Sequence, residues 1–222
     1  MPLPAAGDDQ SGHPVLPVQA SPRPGRVLPL IVCGAGPAAD ARKLIKLAQQ
    51  RGWRAQVIAT PTAMAFIDTA ALEALTGSPV RSAYRSPGEP RSMQADAVIV
   101  APGTYNTISK CAQGISDTYA LGILAEAVSL PIPVVMLPFV NSALASRHPF
   151  QRAVRQLRDE GVCVLLGPGE FEPHPPATGG QQLDAFPWQL ALDEAERLIH
   201  DELRAPGPAT AGAPRAPRTL PN

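Results

Sequence analysis

The sequence has no excess of charge of either sign: 19 Lys and Arg stand against 19 Asp and Glu, for a formal net charge of zero. A neutral chain lacks the electrostatic term that dominates binding to nucleic acid or to an anionic membrane, so neither is an expected partner. No apolar run approaches the roughly 20 residues that a spanning helix needs, and the start of the chain lacks the apolar core of a secretion signal. A cytoplasmic protein is the expectation. Cysteine is scarce: Cys33, Cys111 and Cys163 are odd in number and have no C-x-x-C spacing, which argues against a disulfide framework or a zinc knuckle and leaves three small buried hydrophobes. No set of His, Cys, Asp or Glu has metal-ligand spacing, so no metal is expected. The G-x-S-x-G nucleophile elbow and the G-x-x-x-x-G-K-[ST] phosphate loop are both missing.

Proline is abundant. Of 27 in all, six lie in residues 1–26 and five in residues 205–222. Pro, Gly and Ala at that density, without periodic apolar residues, bury too little surface to offset the entropy of ordering, so both ends are expected to be disordered tails. The folded part then runs over 27–204, a length suited to one full-sized core.

Within it the pattern alternates. Val27 to Cys33, Ala55 to Thr60, Ala97 to Pro102, Pro133 to Leu137 and Gly161 to Leu165 are nearly continuous apolar runs, as strands covered on both faces are. Between them lie helical periods: Ala41, Leu44, Ile45 and Ala48 before Gly52, then Phe150, Ala153, Val154 and Leu157 within Pro149 to Glu160, and Trp188, Ala191, Ala195, Leu198 and Ile199 within Pro187 to Leu203. Strand and helix in repeated alternation imply an α/β protein, a three-layer Rossmann-like or flavodoxin-like parallel sheet with helices on both faces. Ligands of such sheets sit at the carboxyl ends of the strands.

Three strand exits are polar or glycine-rich. The first, Gly34-Ala35-Gly36-Pro37-Ala38-Ala39, satisfies G-x-G-x-x-A and offers amides at a helix start where a phosphate could be held. The second closes in Thr60-Pro61-Thr62 without the acidic residue that would hold a dinucleotide ribose, which argues against NAD and suits a mononucleotide phosphate or a ring edge. A plain turn, with threonine capping a short helix at Ala63, fits the same residues. The third exit, Ala101-Pro102-Gly103-Thr104-Tyr105-Asn106-Thr107-Ile108-Ser109-Lys110, crowds five polar side chains together.

At this point the sequence resembles the homo-oligomeric flavin-containing cysteine decarboxylases, a family that includes phosphopantothenoylcysteine decarboxylase and the enzymes that oxidatively decarboxylate C-terminal cysteines of peptide natural products. Their signature APATANTIAKIAxGIADNL is similar to APGTYNTISKCAQGISDTYAL over Ala101 to Leu121. Thr60, Thr62, Ala63 and Phe66 match the family's T-x-[ST]-A-x-x-F, and Pro138-Phe139-Val140-Asn141 resembles its P-x-M-N segment. The resemblance covers about residues 27–168. It implies FMN bound at a subunit interface of a homotrimer or a dodecamer, and a small-molecule or peptide thiol as substrate. Gly34, Ala35 and Gly36 would face the phosphate, Thr60 and Thr62 would hydrogen-bond FMN, and Phe66 would pack near its ring, with Pro102, Thr104, Asn106 and Thr107 lining the other side. Asn106 and Asn141 fall where the family holds the substrate carboxylate or its surroundings, and are the candidate catalytic residues. Asn106 also fits a helix cap, and Asp117 a cap for the helix from Thr118.

The chain departs from the family in four places. The family histidine would fall near Gly88, but Ser86 to Arg91 contains none. A positioned acid or base supplies about 10² to 10⁴ in rate, roughly 3 to 5 kcal/mol, so its loss weighs against ordinary cysteine decarboxylation. Glu89 is a substitute only if burial raises its pKa. Val140 replaces the methionine before Asn141, Gly167 to His174 carries no clamp cysteine, and Tyr105 stands in place of alanine, where a phenol could stack on a flavin or fill the substrate pocket. His174 lies in a Pro-rich loop that could close over a ligand. Two other readings stand beside a decarboxylase: a non-catalytic FMN-binding regulatory subunit, and a flavin prenyltransferase-like enzyme, to which Ala101 to Asn106 is less similar.

Overall fold

The computed structural model describes residues 25–84 and 94–204. The expected tails and the Ser86 to Arg91 segment lie outside these residues, except that the first strand already starts at Arg26. The five apolar runs form strands β1 (Arg26–Val32), β2 (Trp53–Ala59), β3 (Val98–Gly103), β4 (Val134–Pro138) and β5 (Cys163–Val164). Helices α1 (Arg42–Gln50), α2 (Thr69–Thr76), α3 (Tyr105–Ala112), α4 (Tyr119–Ser129), α5 (Ser142–Ala145), α6 (His148–Asp159) and α7 (Trp188–Arg204) connect and cover them. All strand pairs are parallel, in the order β2-β1-β3-β4-β5, the flavodoxin-like arrangement.

Because successive strand residues point to opposite faces, each apolar run feeds two cores. Leu28, Leu30 and Val32 of β1 pack with Leu44, Ile45 and Ala48 of α1, Leu72 of α2 and Trp188, Ala191 and Ala195 of α7. Ile31 and Cys33 belong to the other face, with Ile108 of α3, Leu124 of α4 and Phe150 and Leu157 of α6. Fully burying one such side chain contributes about 1.5 to 3 kcal/mol, so strands and helices stabilise each other mainly through these two layers. Arg51 ties the end of α1 to α7 through Asp193 at 2.6 Å and Glu196 at 2.8 Å. Trp53 Nε1 donates to the same Glu196 at 2.9 Å.

The sequence reading of α1, α6 and α7 matches the helices found. The last strand is shorter than the apolar run Gly161 to Leu165 suggests, with only Cys163 and Val164 paired to β4. Asp117 is not the cap of α4. Thr118 is, its side chain accepting from the Leu121 amide at 3.3 Å, while Asp117 pairs with Lys110. Asn106 is likewise not a cap, because Thr104 caps α3 and Asn106 is the second residue of the helix. Among the described residues no helix is long and apolar enough to cross a membrane.

Phe150 is fully buried in the α3–α4–α6 layer. Its replacement by alanine removes the largest fully buried side chain of that layer, and the expected destabilisation is about 3 to 5 kcal/mol. Urea unfolding followed by circular dichroism checks this; a loss below about 1 kcal/mol would mean the layer is not packed around that ring.

Candidate functional site

The chain turns one way after β1 and the other way after β3, so the loops leaving these neighbouring strands diverge. At the β1 exit the Cys33 amide donates to the Pro102 carbonyl at 3.1 Å, which holds the ends of the two strands together. The Ala35 amide turns back onto the Cys33 carbonyl at 2.9 Å, so of the amides the sequence offered at this turn, that of Ala35 is engaged within the protein. A side chain at Gly34 would put its Cβ 2.7 Å from Thr62 Cγ2, so the close approach of the β2 exit accounts for glycine there.

At that second exit the Thr60 amide donates to the Val32 carbonyl at 2.9 Å, and the chain passes into a short 3-10 helix, Pro61–Ala65. The Thr60 side chain makes no capping bond to this turn. At the third exit Thr104 and Thr107 form a linked pair. Thr104 Oγ1 accepts from the Thr107 amide at 3.4 Å and donates to Thr107 Oγ1 at 3.1 Å. Thr107 Oγ1 also accepts from Cys33 Sγ at 3.3 Å. Both of its lone pairs are then used, and its own hydrogen is left to donate.

These exits enclose a cleft of about 560 Å³, within the size range of small-ligand sites. Gly34, Ala35, Thr60, Thr62, Thr104, Asn106 and Thr107, all singled out in the sequence, line it together. The other four do not. Gly36 lies under Leu183, whose Cδ2 would be 2.7 Å from a Cβ there. Pro102 is buried in β3. Phe66 is 43% exposed at the end of the Thr62 turn. Asn141 caps α5, accepting from the Leu144 amide at 2.9 Å.

The remaining wall was not predicted as site. Phe139, Val140 and Leu144 add apolar side chains to the wall, and Pro61, Lys110, Thr118 and Leu121 line it as well. Lys110 lies one helical turn beyond Asn106 and Thr107, a spacing that could have placed it; nothing local points to Phe139 or Leu144. Tyr105 also lines the cleft, stacked on Phe150 with ring centroids 5.0 Å apart, so one of its faces is already covered. The His174 loop is docked by the His174 carbonyl, which accepts from the Ser142 amide at 2.8 Å, and by ring contact with Phe139 at 4.8 Å.

The cleft lining contains no Asp, Glu or His among the described residues. Its one charged group is Lys110, paired with Asp117. It is therefore a socket of hydroxyls and amides with an apolar wall and one ion-paired lysine, chemistry suited to holding a polar ligand with a flat apolar part. No group of metal-ligating residues occurs among the described residues.

A parallel sheet in this order, with a polar cleft at the β1 and β3 exits, defines a flavodoxin-like ligand-binding protein. A sequence model described as Flavoprotein matches residues 20–178, and the chain belongs to that family, in agreement with its resemblance to the flavin-containing cysteine decarboxylases. The coenzyme A biosynthesis bifunctional protein CoaBC of Escherichia coli (strain K12) is 28% identical over 165 residues, covering 66% of this chain and 40% of the relative. CoaBC of Mycolicibacterium smegmatis is 26% identical over 202 residues, covering 84% of this chain and 46% of the relative. The chain thus spans less than half the length of these curated relatives. Among solved structures, the FMN-dependent cysteine decarboxylase SpaF is similar with a TM-score of 0.56 and 26% identity, covering 78% of this chain and 97% of that one. The decarboxylase TvaF from thioviridamide biosynthesis gives a TM-score of 0.61 at 22% identity over 79% of this chain and 98% of that one, a likeness of fold.

The three thiols are unlike reactive cysteines. Burial raises the Cys33 pKa, against the opposing bond to Thr107. Cys111 and Cys163 are pushed up to about 11, chiefly by burial. Such groups bind protons more tightly folded than unfolded, so their contribution to stability is intact below the unfolded thiol value of about 8.5 and declines as pH rises toward 11. At pH 8 all three are expected to react with iodoacetamide at least tenfold more slowly than in urea, and thermal stability should fall between pH 9 and 11. Rapid native labelling of any one thiol, read by mass spectrometry, would contradict this.

Proposed function

We propose that the chain binds FMN in this cleft and acts with it on a thiol substrate of the cysteine type, by oxidative decarboxylation of a small molecule or a peptide C-terminus. The observation that carries the reading is the convergence of Thr60, Thr62, Thr104, Asn106 and Thr107, from two strand exits, on one cleft that has no carboxylate among the described residues, in a chain of the flavoprotein family. The residues fit the group. The Gly34–Ala35 corner and the two threonines of the β2 exit would take the phosphate and ribityl side, and the donor left on Thr107 and the Asn106 amide would meet the polar ring edge. FMN, when bound, supplies a two-electron acceptor that the protein side chains lack. The chain's own part is orientation: Asn106 would hold the substrate carboxylate and Phe139 and Val140 would exclude water from it, while Asn141, already engaged as a cap, would fix the wall behind Leu144.

Exposed Met64 and Phe66 stand in the same turn as Thr62, and a second copy of the chain would cover them. This supports a homo-oligomer, a trimer or a dodecamer, with the cleft at a subunit interface. A non-catalytic FMN-binding subunit is the second reading. It is favoured by one observation: the sequence has no histidine between His13 and His148, and the described cleft wall has none.

The purified chain is expected to be yellow or to take up one FMN per chain with quenching of flavin fluorescence; a colourless protein that takes up none would refute both readings. Anaerobic bleaching by a cysteine-terminated peptide with release of carbon dioxide distinguishes the enzyme from the silent subunit. Asn106→Asp should loosen FMN, which loses the amide donor at its ring edge, and in the flavin-loaded protein should weaken the acid substrate at least tenfold, because two carboxylates about 4 Å apart repel by a few kcal/mol at an effective dielectric near 20. Unchanged turnover in that variant would remove Asn106 from the site.

A further inference from the structure

A second cavity, of about 300 Å³, lies between the sheet and the second half of α4 and shares no lining residue with the cleft. The sheet contributes Gln56 and Ile58 of β2, Pro29 of β1 and Val98 of β3. The helix side contributes Ile123, Glu126 and Leu130, whose spacing by three and four residues puts them on one face of α4 and its C-cap. Val98 opens β3, while Pro29 and Gln56 are paired at mid-strand, so the cavity lies below the strand exits that form the cleft.

Gln56 is the buried polar group of this cavity. On its face of β2 it stands between exposed Arg54 and buried Ile58, and it is itself only 6% exposed. Its Oε1 is buried without a hydrogen-bond partner. A buried acceptor left unmade costs the desolvation of the group, and a donor brought into the cavity would recover that cost. Glu126, exposed at the rim, is in the last turn of α4, which holds no basic residue. Among the described residues no cation lies within ion-pair distance of it. A carboxylate at that end of a helix adds to the negative pole of the dipole instead of offsetting it.

The acceptor, the carboxylate and the helix terminus thus present negative potential to one apolar cavity. No Lys, Arg or His occurs among its described lining residues, Arg54 lies outside the lining, and the remaining polar side chain, Gln94, is neutral. The complement of this set is a compact apolar body carrying an ammonium group, whose three N–H donors can serve both oxygens.

We infer that this cavity is a second small-molecule site, which takes a compact cationic amine with its apolar part against Ile58, Val98 and Ile123 and its ammonium group donating to Gln56 Oε1 within the field of Glu126. The inference goes beyond the flavin reading and does not depend on it.

The test uses the full chain and three probes of one shape, benzylamine, benzyl alcohol and benzoate, titrated by ligand-observed NMR with the protein saturated with FMN and again without FMN. The wild type should bind benzylamine at millimolar or lower concentration and at least tenfold tighter than either other probe. E126Q should reduce the preference over benzyl alcohol to threefold or less. Q56L should weaken the amine at least fivefold without lowering the melting temperature, since it removes an oxygen that bonds to nothing in the fold. FMN uptake should stay within twofold in both variants, because neither residue lines the cleft. Glu126 is exposed, so E126Q keeps the fold and its result stands even if Q56L melts lower. Wild-type binding of the amine that is undetectable at about 10 mM, or no tighter than that of the alcohol, overturns the inference, as does a preference that survives E126Q. Displacement of the amine by FMN would put it in the cleft and overturns the inference as well. Failure to take up FMN counts against the flavin reading alone, since the titration without FMN still tests the second site.

Discussion

The site exists because the sheet reverses direction. After β1 the chain crosses to β2 on one side, and after β3 it crosses to β4 on the other, so the two central strands release their loops in opposite directions and no helix can fill the space between them. The bond from the Cys33 amide to the Pro102 carbonyl keeps those two strand ends side by side, and the contact of Cys33 Sγ with Thr107 Oγ1 carries the connection into α3. Thr104 and Thr107 hang on that pairing, and Thr60 on the bond from its own amide to the Val32 carbonyl. Backbone groups at a strand exit are no longer satisfied by the ladder, and Thr104 answers that local requirement by accepting from the Thr107 amide while lining the cleft. Structural demand and binding capacity therefore fall on the same residues.

That double duty explains what could be read in advance. Runs such as Leu28 to Val32 and Val98 to Ala101 are apolar at every position because helices cover both faces of the sheet, and that pattern survives any detail of packing. The polar exits after β1, β2 and β3 were legible for the same reason, since side chains that interrupt an apolar run need a partner of some kind. Which partner was not legible. Thr104 rather than Asn106 caps α3, and Thr118 rather than Asp117 caps α4, because the choice depends on which residue takes an extended backbone at the last step before the helix. Threonine and asparagine or aspartate are nearly equal candidates by type.

Contacts made across the fold were silent in the sequence. Phe139 enters the cleft wall because the strap that carries Phe171, His174 and Phe186 stacks on its other side, with ring centroids 4.8 to 6.1 Å away. Gly36 satisfies a phosphate-loop pattern, yet its lack of a side chain is used by Leu183 from that same strap. A short motif constrains the turn that it makes; it does not say which neighbour will use the space. The loop containing His174 shows this as well, for its docking onto Asn141 and Phe139 follows from a β-bridge and ring contacts that no spacing rule anticipates.

The chemistry open to the cleft follows from its neutrality. A wall of hydroxyls, one amide and a paired lysine can orient a ligand, but among the described residues it offers no carboxylate or imidazole to take up a proton near neutral pH. A positioned base contributes about 10² to 10⁴ in rate, whereas holding two reactants in register can contribute about 7 to 11 kcal/mol, a larger amount. Orientation is thus the dominant resource of this arrangement. Two departures from the family therefore bear on what the cleft can do: the sequence holds no histidine between His13 and His148, and Tyr105 adds to the lining a phenol held by its stacking on Phe150, which favours positioning over proton transfer.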